Sequence, residues 1–141
     1  MSIDWDVVRS ELRRHPTSIA AGGGDEASIA AADSRLACTF SPGYRAFLRE
    51  IGGAIVGSDP IFGVVKADDM GKLWSVTDVT EHFRRQGWPA VKDWYVVSME
   101  GRGNPVGVDA SGRVWMSDHD VGDVVQVADS FEAFLEAQLG Q

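Results

Sequence analysis

Near the start of the chain, Trp5, Val8 and Leu12 recur at helical spacing with Arg9, Arg13 and Arg14 between them, which predicts a short amphipathic helix over 4–15, closed by Pro16. The stretch 16–24 contains three successive glycines and reads as a flexible joint. Ile29 and Leu36 mark one side of an Ala-rich helix over 27–36, with Asp25 or Glu26 at its positive end. Ser41 and Pro42 then supply a cap and a first-turn proline for a helix over 43–51, where Tyr44, Phe47, Leu48 and Ile51 follow the i, i+3, i+4, i+7 template. Gly52 and Gly53 end it, since glycine readily takes the left-handed conformation that closes a helix.

Beyond them, 54–57 and 61–65 read as short strands split by the turn formers Ser58, Asp59 and Pro60. Val76, Val79 and Phe83 mark a fourth helix, capped by Ser75 and closed by Gly87 and Pro89. From Trp94 the period changes to that of strands: 94–100, 105–110, 113–118 and 123–128 are separated by glycine-bearing hairpin turns, which makes an antiparallel meander. Phe131, Phe134, Leu135 and Leu139 form the apolar stripe of a terminal helix, capped by Asp129 or Ser130, that should pack on the sheet. The expected fold class is α+β: one domain over 1–141, in which the helix 4–15 and joint 16–24 precede a core at 25–139.

Charge changes this picture more than any motif does. The 141 residues carry 13 Lys and Arg against 21 Asp and Glu, a formal charge of −8. Such a balance argues against direct binding of nucleic acid or an anionic membrane. No apolar run approaches the ~20 residues that span a bilayer, and the N-terminus lacks the basic start and apolar run of an export signal, so a cytoplasmic location is expected. Residues 1–92 hold 12 acids and 11 basic residues, net −1, whereas residues 93–141 hold 9 acids with only Arg102 and Arg113, net −7. The negative excess therefore belongs to the meander and the last helix. It reads either as ordinary solubilising charge or as a surface that docks a basic protein.

Candidate chemistry is sparse. His119 lies between Asp118 and Asp120, an arrangement that suits either a metal-ligating or basic site or a polar hairpin turn in which Asp bonds nearby amides. His82 has no second ligand at i+4, and His15 sits where a helix C-terminus favours a cation. Cys38, the only cysteine, lies in an apolar context that raises a thiol pKa and reads as a buried packing residue. The glycines at 22–24 lack the Lys-Ser/Thr ending of a phosphate loop, and those of 101–104 suit a tight turn. Trp74, Trp88, Trp94 and Trp115 read as core anchors rather than an aromatic cage, with Trp115 facing away from Val114 and Met116. No catalytic residue, metal or cofactor is expected.

The order of these features resembles that of the SUKH superfamily, the Smi/Knr-type domains. Ser41 and Pro42 lead into Tyr44, Phe47 and Leu48, Gly52 and Gly53 follow Ile51, and Ser130, Phe131, Phe134 and Leu135 close the chain. Ile51 stands where the family usually has Asn, and Phe40-Ser41-Pro42 replaces the common Leu-Pro step. The resemblance implies a central, mostly antiparallel sheet flanked by helices. It also implies an immunity protein that binds a cognate polymorphic-toxin domain, or a regulatory interaction adaptor, neither of which needs a catalytic residue. Glu100, Asp109, Asp118, Asp120 and Asp123 are the electrostatic candidates for such binding, with Trp115 as an aromatic anchor. The competing class is a small metal-dependent hydrolase using Asp118, His119 and Asp120.

Overall fold

The computed structural model describes residues 3–14, 19–20, 23–56, 59–64, 75–118, 120 and 122–140. Local side-chain caps set the helix starts. Helix α1 (Trp5–Arg14) follows Asp4, whose carboxylate accepts the amides of Asp6 and Val7. Asp25 caps α2 (Glu26–Arg35), Ser41 caps α3 (Pro42–Glu50), Ser75 caps α4 (Val76–Arg85) and Ser130 caps α5 (Phe131–Leu139), each accepting the amide three residues on. Each cap satisfies a donor that the first helical turn leaves without a partner. A short 3-10 turn, Val91–Asp93, was not apparent in the periodicity.

The strands are β1 (Ile19–Ala20), β2 (Ala54–Val56), β3 (Asp59–Ile61), β4 (Tyr95–Met99), β5 (Pro105–Val108), β6 (Val114–Asp118) and β7 (Asp123–Ala128). They form one sheet in chain order, and every neighbouring pair is antiparallel. The expected α+β architecture is therefore present. A fully buried aromatic group ties the helices to the sheet: Tyr44 and Phe47 of α3 meet Phe131 of α5 at centroid distances of 5.0 and 5.4 Å, and Tyr44 stacks on Tyr95 of β4 at 5.4 Å. Helix α4 lies against β4, and α5 against β7, α3 and α1.

Two expectations are corrected. Asp59 and Pro60, read as a turn, belong to β3, where Pro60 pairs with Ile55. Proline brings no amide to a ladder, and here the Ser98 hydroxyl donates to its carbonyl at 2.6 Å, adding a tie to β4. Of the expected strand 61–65 only Ile61 belongs to β3, although the Phe62 amide still donates to the Val97 carbonyl of β4 at 2.8 Å; residue 65 lies outside the described residues. The joint 16–24 is also more than a joint in its described part. Ile19 and Ala20 pair with Ile55 and Ala54, and the Gly24 amide donates to the Leu48 carbonyl at 2.8 Å. Gly23 passes so close to the Arg49 carbonyl that a side chain there would collide with backbone. Gly23 and Gly24 thus serve close approach to α3.

Candidate functional site

The four-stranded meander has two ends. The β4–β5 and β6–β7 connections share one end, and the β5–β6 connection forms the other. This geometry separates the candidate residues into two groups.

At the first end, Glu100, Asp118 and Asp120 converge on Arg102. The guanidinium lies 3.4 Å from Glu100, 3.6 Å from Asp118 and 3.0 Å from Asp120. Asp123 pairs with Asp118 across β6 and β7 and stands at the same end. A residue missed in the sequence joins them. Asp59, which opens β3, has its carboxyl raised above the usual range, first by burial and then by the charge of Glu100. Only the pairing of β3 with β4 brings these two acids together, so no local spacing announces it.

Two of these acids also build their turns. Glu100 accepts the Arg102 amide at 2.9 Å and the amide group of buried Asn104 at 2.8 Å, and Gly103 turns the chain at φ 87°. Asp118 is 8% exposed and accepts the Asp120 amide at 2.9 Å. The turn reading of 101–104 thus holds, and Glu100 and Asp118 combine charge with turn chemistry.

Asp109 and Trp115 occupy the opposite end. The Asp109 carboxylate accepts the amides of Ser111 and Arg113, the Ser111 hydroxyl at 2.7 Å and the Trp115 indole Nε1–H at 2.8 Å. Asp109 therefore lies apart from the other four acids, and its carboxylate is engaged in the β5–β6 turn. Burial pushes its carboxyl up, but the hydrogen bonds together outweigh burial and leave it below the usual range. The stability it contributes is present above the unfolded carboxyl value and is lost as pH falls through the lower folded value. We expect the Trp115 indole N–H resonance to titrate with a midpoint below 3.8, the ordinary value for Asp, and an Asp109→Asn variant to lose that transition.

A cleft of about 600 Å³ lies beside Asp109, lined among others by Cys38, Arg84, Lys92 and Tyr95. Arg84 there is a clamp, donating to the carbonyls of Leu36 at 2.9 Å and Trp94 at 2.7 Å, which ties the end of α2 to the start of β4. Burial pushes the Cys38 thiol up to about 11, with Arg84 acting the other way, so at neutral pH it is protonated and a poor nucleophile. It is half-buried rather than fully enclosed.

Trp94 is buried and packs on Gly107, while Trp88 meets Phe83 edge-on at 5.3 Å, both as core anchors. Half-buried His82 packs edge-on to Phe83. His15, Trp74 and His119 lie outside the described residues. Among the described residues no group of three His, Cys, Asp or Glu is placed to hold a metal ion, and Asp118 and Asp120 both lie against the Arg102 guanidinium. No helix among them is long and apolar enough to cross a membrane.

An antiparallel meander with helices packed on it, capped at one end by carboxylates around a single arginine, defines an α+β scaffold with a charged tip. Residues 23–137 match the SMI1 / KNR4 family (SUKH-1), and the chain belongs to that family. No curated protein matches it.

Proposed function

We propose that this chain is an immunity protein that binds a cognate toxin domain in the cytoplasm and neutralises it without chemistry of its own. The acidic end of the sheet carries the reading: Glu100, Asp118 and Asp120 share the Arg102 guanidinium, and Asp59 and Asp123 stand at the same end. Membership of the SUKH-1 family supports a protein partner. A toxin domain with a basic substrate-binding surface is the complementary shape of charge, and long-range attraction would speed the encounter.

The test is co-expression with a candidate toxin domain, sought first among the genes beside this chain's. Wild type is expected to restore growth. The triple variant Asp59→Asn, Asp120→Asn, Asp123→Asn leaves the turn-forming Glu100 and Asp118 in place and is expected to associate about tenfold more slowly at low salt, with a flatter salt dependence. Failure of wild type to protect overturns the immunity reading. Unchanged association kinetics with the fold intact overturn the acidic docking surface.

A further inference from the structure

Strand β7 is the last strand of the sheet and, among the described residues, pairs only with β6, which leaves its other edge open. Its six residues make it the longest strand among the described residues. The opposite edge is β1, of which Ile19 and Ala20 are described. Exposed edges are usually blunted by lysine, proline or brevity, and the run Val124 to Ala128 has no charge and no proline. Val125 is 44% exposed and Val127 43%, and with Val7 they are the exposed large hydrophobics among the described residues. Two main-chain groups of the strand are met by its own side chains. The Val124 amide donates to the Asp123 carboxylate at 2.7 Å, and the Gln126 side chain donates to the Ala128 carbonyl at 3.3 Å. Asp123 and Gln126 are both exposed, and their bonds are replaceable by those of an incoming backbone.

The charges at the two ends of β7 select the occupant. Asp123 and Asp129 bracket the apolar run, and neither is in an ion pair with a described Lys or Arg. Antiparallel pairing of two copies in the register that sets Val125 against Val127 places Asp123 of each copy opposite Asp129 of the other. Like charges directly opposed destabilise a ladder, whereas a strand with a basic residue at each end gains at both. We infer that the β7 edge accepts an added strand from a partner protein, apolar in its middle and carrying Lys or Arg at both ends. This rests on the reading that the chain acts by binding a protein, and it names the contact as main-chain pairing beside the acidic tip.

The probe is a blocked hexapeptide, Lys-Val-Thr-Val-Thr-Lys, compared with the same peptide flanked by Glu. Titration of the labelled full chain is expected to shift the amide resonances of 123–128 and slow their exchange. The Lys peptide should bind about tenfold tighter than the Glu peptide at low salt and lose that advantage in high salt. A Val125→Lys, Val127→Lys variant, which changes only exposed side chains and is checked for intact fold by circular dichroism, should not respond. Absence of shifts at millimolar peptide, or equal binding of both peptides, overturns the proposal. Concentration-dependent protection of β7 with a doubled mass in light scattering also overturns it, by making a second copy the occupant. If the double-lysine variant protects cells from the toxin as well as wild type does, the edge is not the toxin contact and the immunity reading stands. If wild type binds the Lys peptide at β7 but does not protect, the edge proposal stands and the immunity reading falls.

Discussion

Gly63→Ala is expected to lower the stability of the protein more than a glycine-to-alanine change at an exposed turn does, by a large share of the total. A methyl group at Gly63 would be driven into the carbonyl of Gly52, with the Cα of Gly53 3.3 Å away, so every obstructing atom is backbone and none can rotate aside. Relief by moving the chain is blocked from both sides. The Gly52 amide donates to Phe47 at the end of α3 at 2.9 Å, and the Gly63 carbonyl accepts the Val76 amide at the start of α4 at 2.7 Å. Overpacking of a tight interior costs about 1–3 kcal/mol and sometimes more, and this site belongs at the upper end because the clash is backbone on backbone. A domain of this size has about 5–15 kcal/mol in all. Gly87→Ala is the control. Gly87 has φ 73° but open space around it, so only the left-handed backbone penalty of about 1–2 kcal/mol applies. Urea unfolding followed by tryptophan fluorescence distinguishes the two, and a Gly63→Ala midpoint within error of Gly87→Ala would show that the crossing can open.

That crossing illustrates what the amino-acid pattern hides. Helix caps are local, so Asp25, Ser41, Ser75 and Ser130 were legible together with the stripes they introduce. The strands β4–β7 were legible because four strand-like runs are separated by three glycine-bearing turns. β1 and β3 were not, since their described residues, two and three, carry no period and their pairing with β2 and β4 is long-range. The stripe of α3 predicted that Tyr44 and Phe47 are buried, but not that Phe131, some 85 residues on, would meet both.

At the candidate site, the sequence read Asp118 and Asp120 as a polar turn and left Glu100, Asp109 and Asp123 in strand runs, with the negative excess on the meander and the last helix; in the structure Glu100 and Asp109 also build turns. Counting charges treated those acids as interchangeable, however. Glu100, Asp109 and Asp118 each accept the amide two residues ahead, so they are bound into their turns, whereas Asp123 caps only its neighbour's amide and Asp59 arrives through strand pairing. This difference decides which acids are suitable for testing docking: substitution of Asp59, Asp120 or Asp123 probes charge, while loss of Glu100, Asp109 or Asp118 also probes the hairpins. The alternation rule placed Trp115 opposite Val114 in facing, and the indole is half-buried while Val114 is fully buried. Its polar edge is directed to Asp109, away from the acidic tip it was grouped with.

Tyr44 offers the second large effect, and it separates packing from hydrogen bonding. Its ring is fully buried between Phe40, Phe47, Tyr95 and Phe131, and its hydroxyl donates to the Phe62 carbonyl at 2.5 Å. Tyr44→Ala removes an aromatic ring from the centre of the core and is expected to cost about 3–5 kcal/mol. Tyr44→Phe keeps the ring but leaves the Phe62 carbonyl without this donor, a cost of about 1–3 kcal/mol. The hydroxyl has a further signature in alkali. Burial holds the Tyr44 phenol well above its ordinary value of 10, and Tyr95 is raised by burial as well, though its bond from the Ser41 amide opposes the shift. Above pH 10 the unfolded chain can release these protons while the folded chain retains them, so stability is full below pH 10 and falls as pH rises further, by up to about 1.4 kcal/mol per pH unit for each such tyrosine. Urea titrations at pH 7 and above pH 10 should therefore show wild type losing stability with a steeper slope than Tyr44→Phe. Equal slopes would mean that the Tyr44 phenol ionises in the folded protein, and that the aromatic cluster admits water.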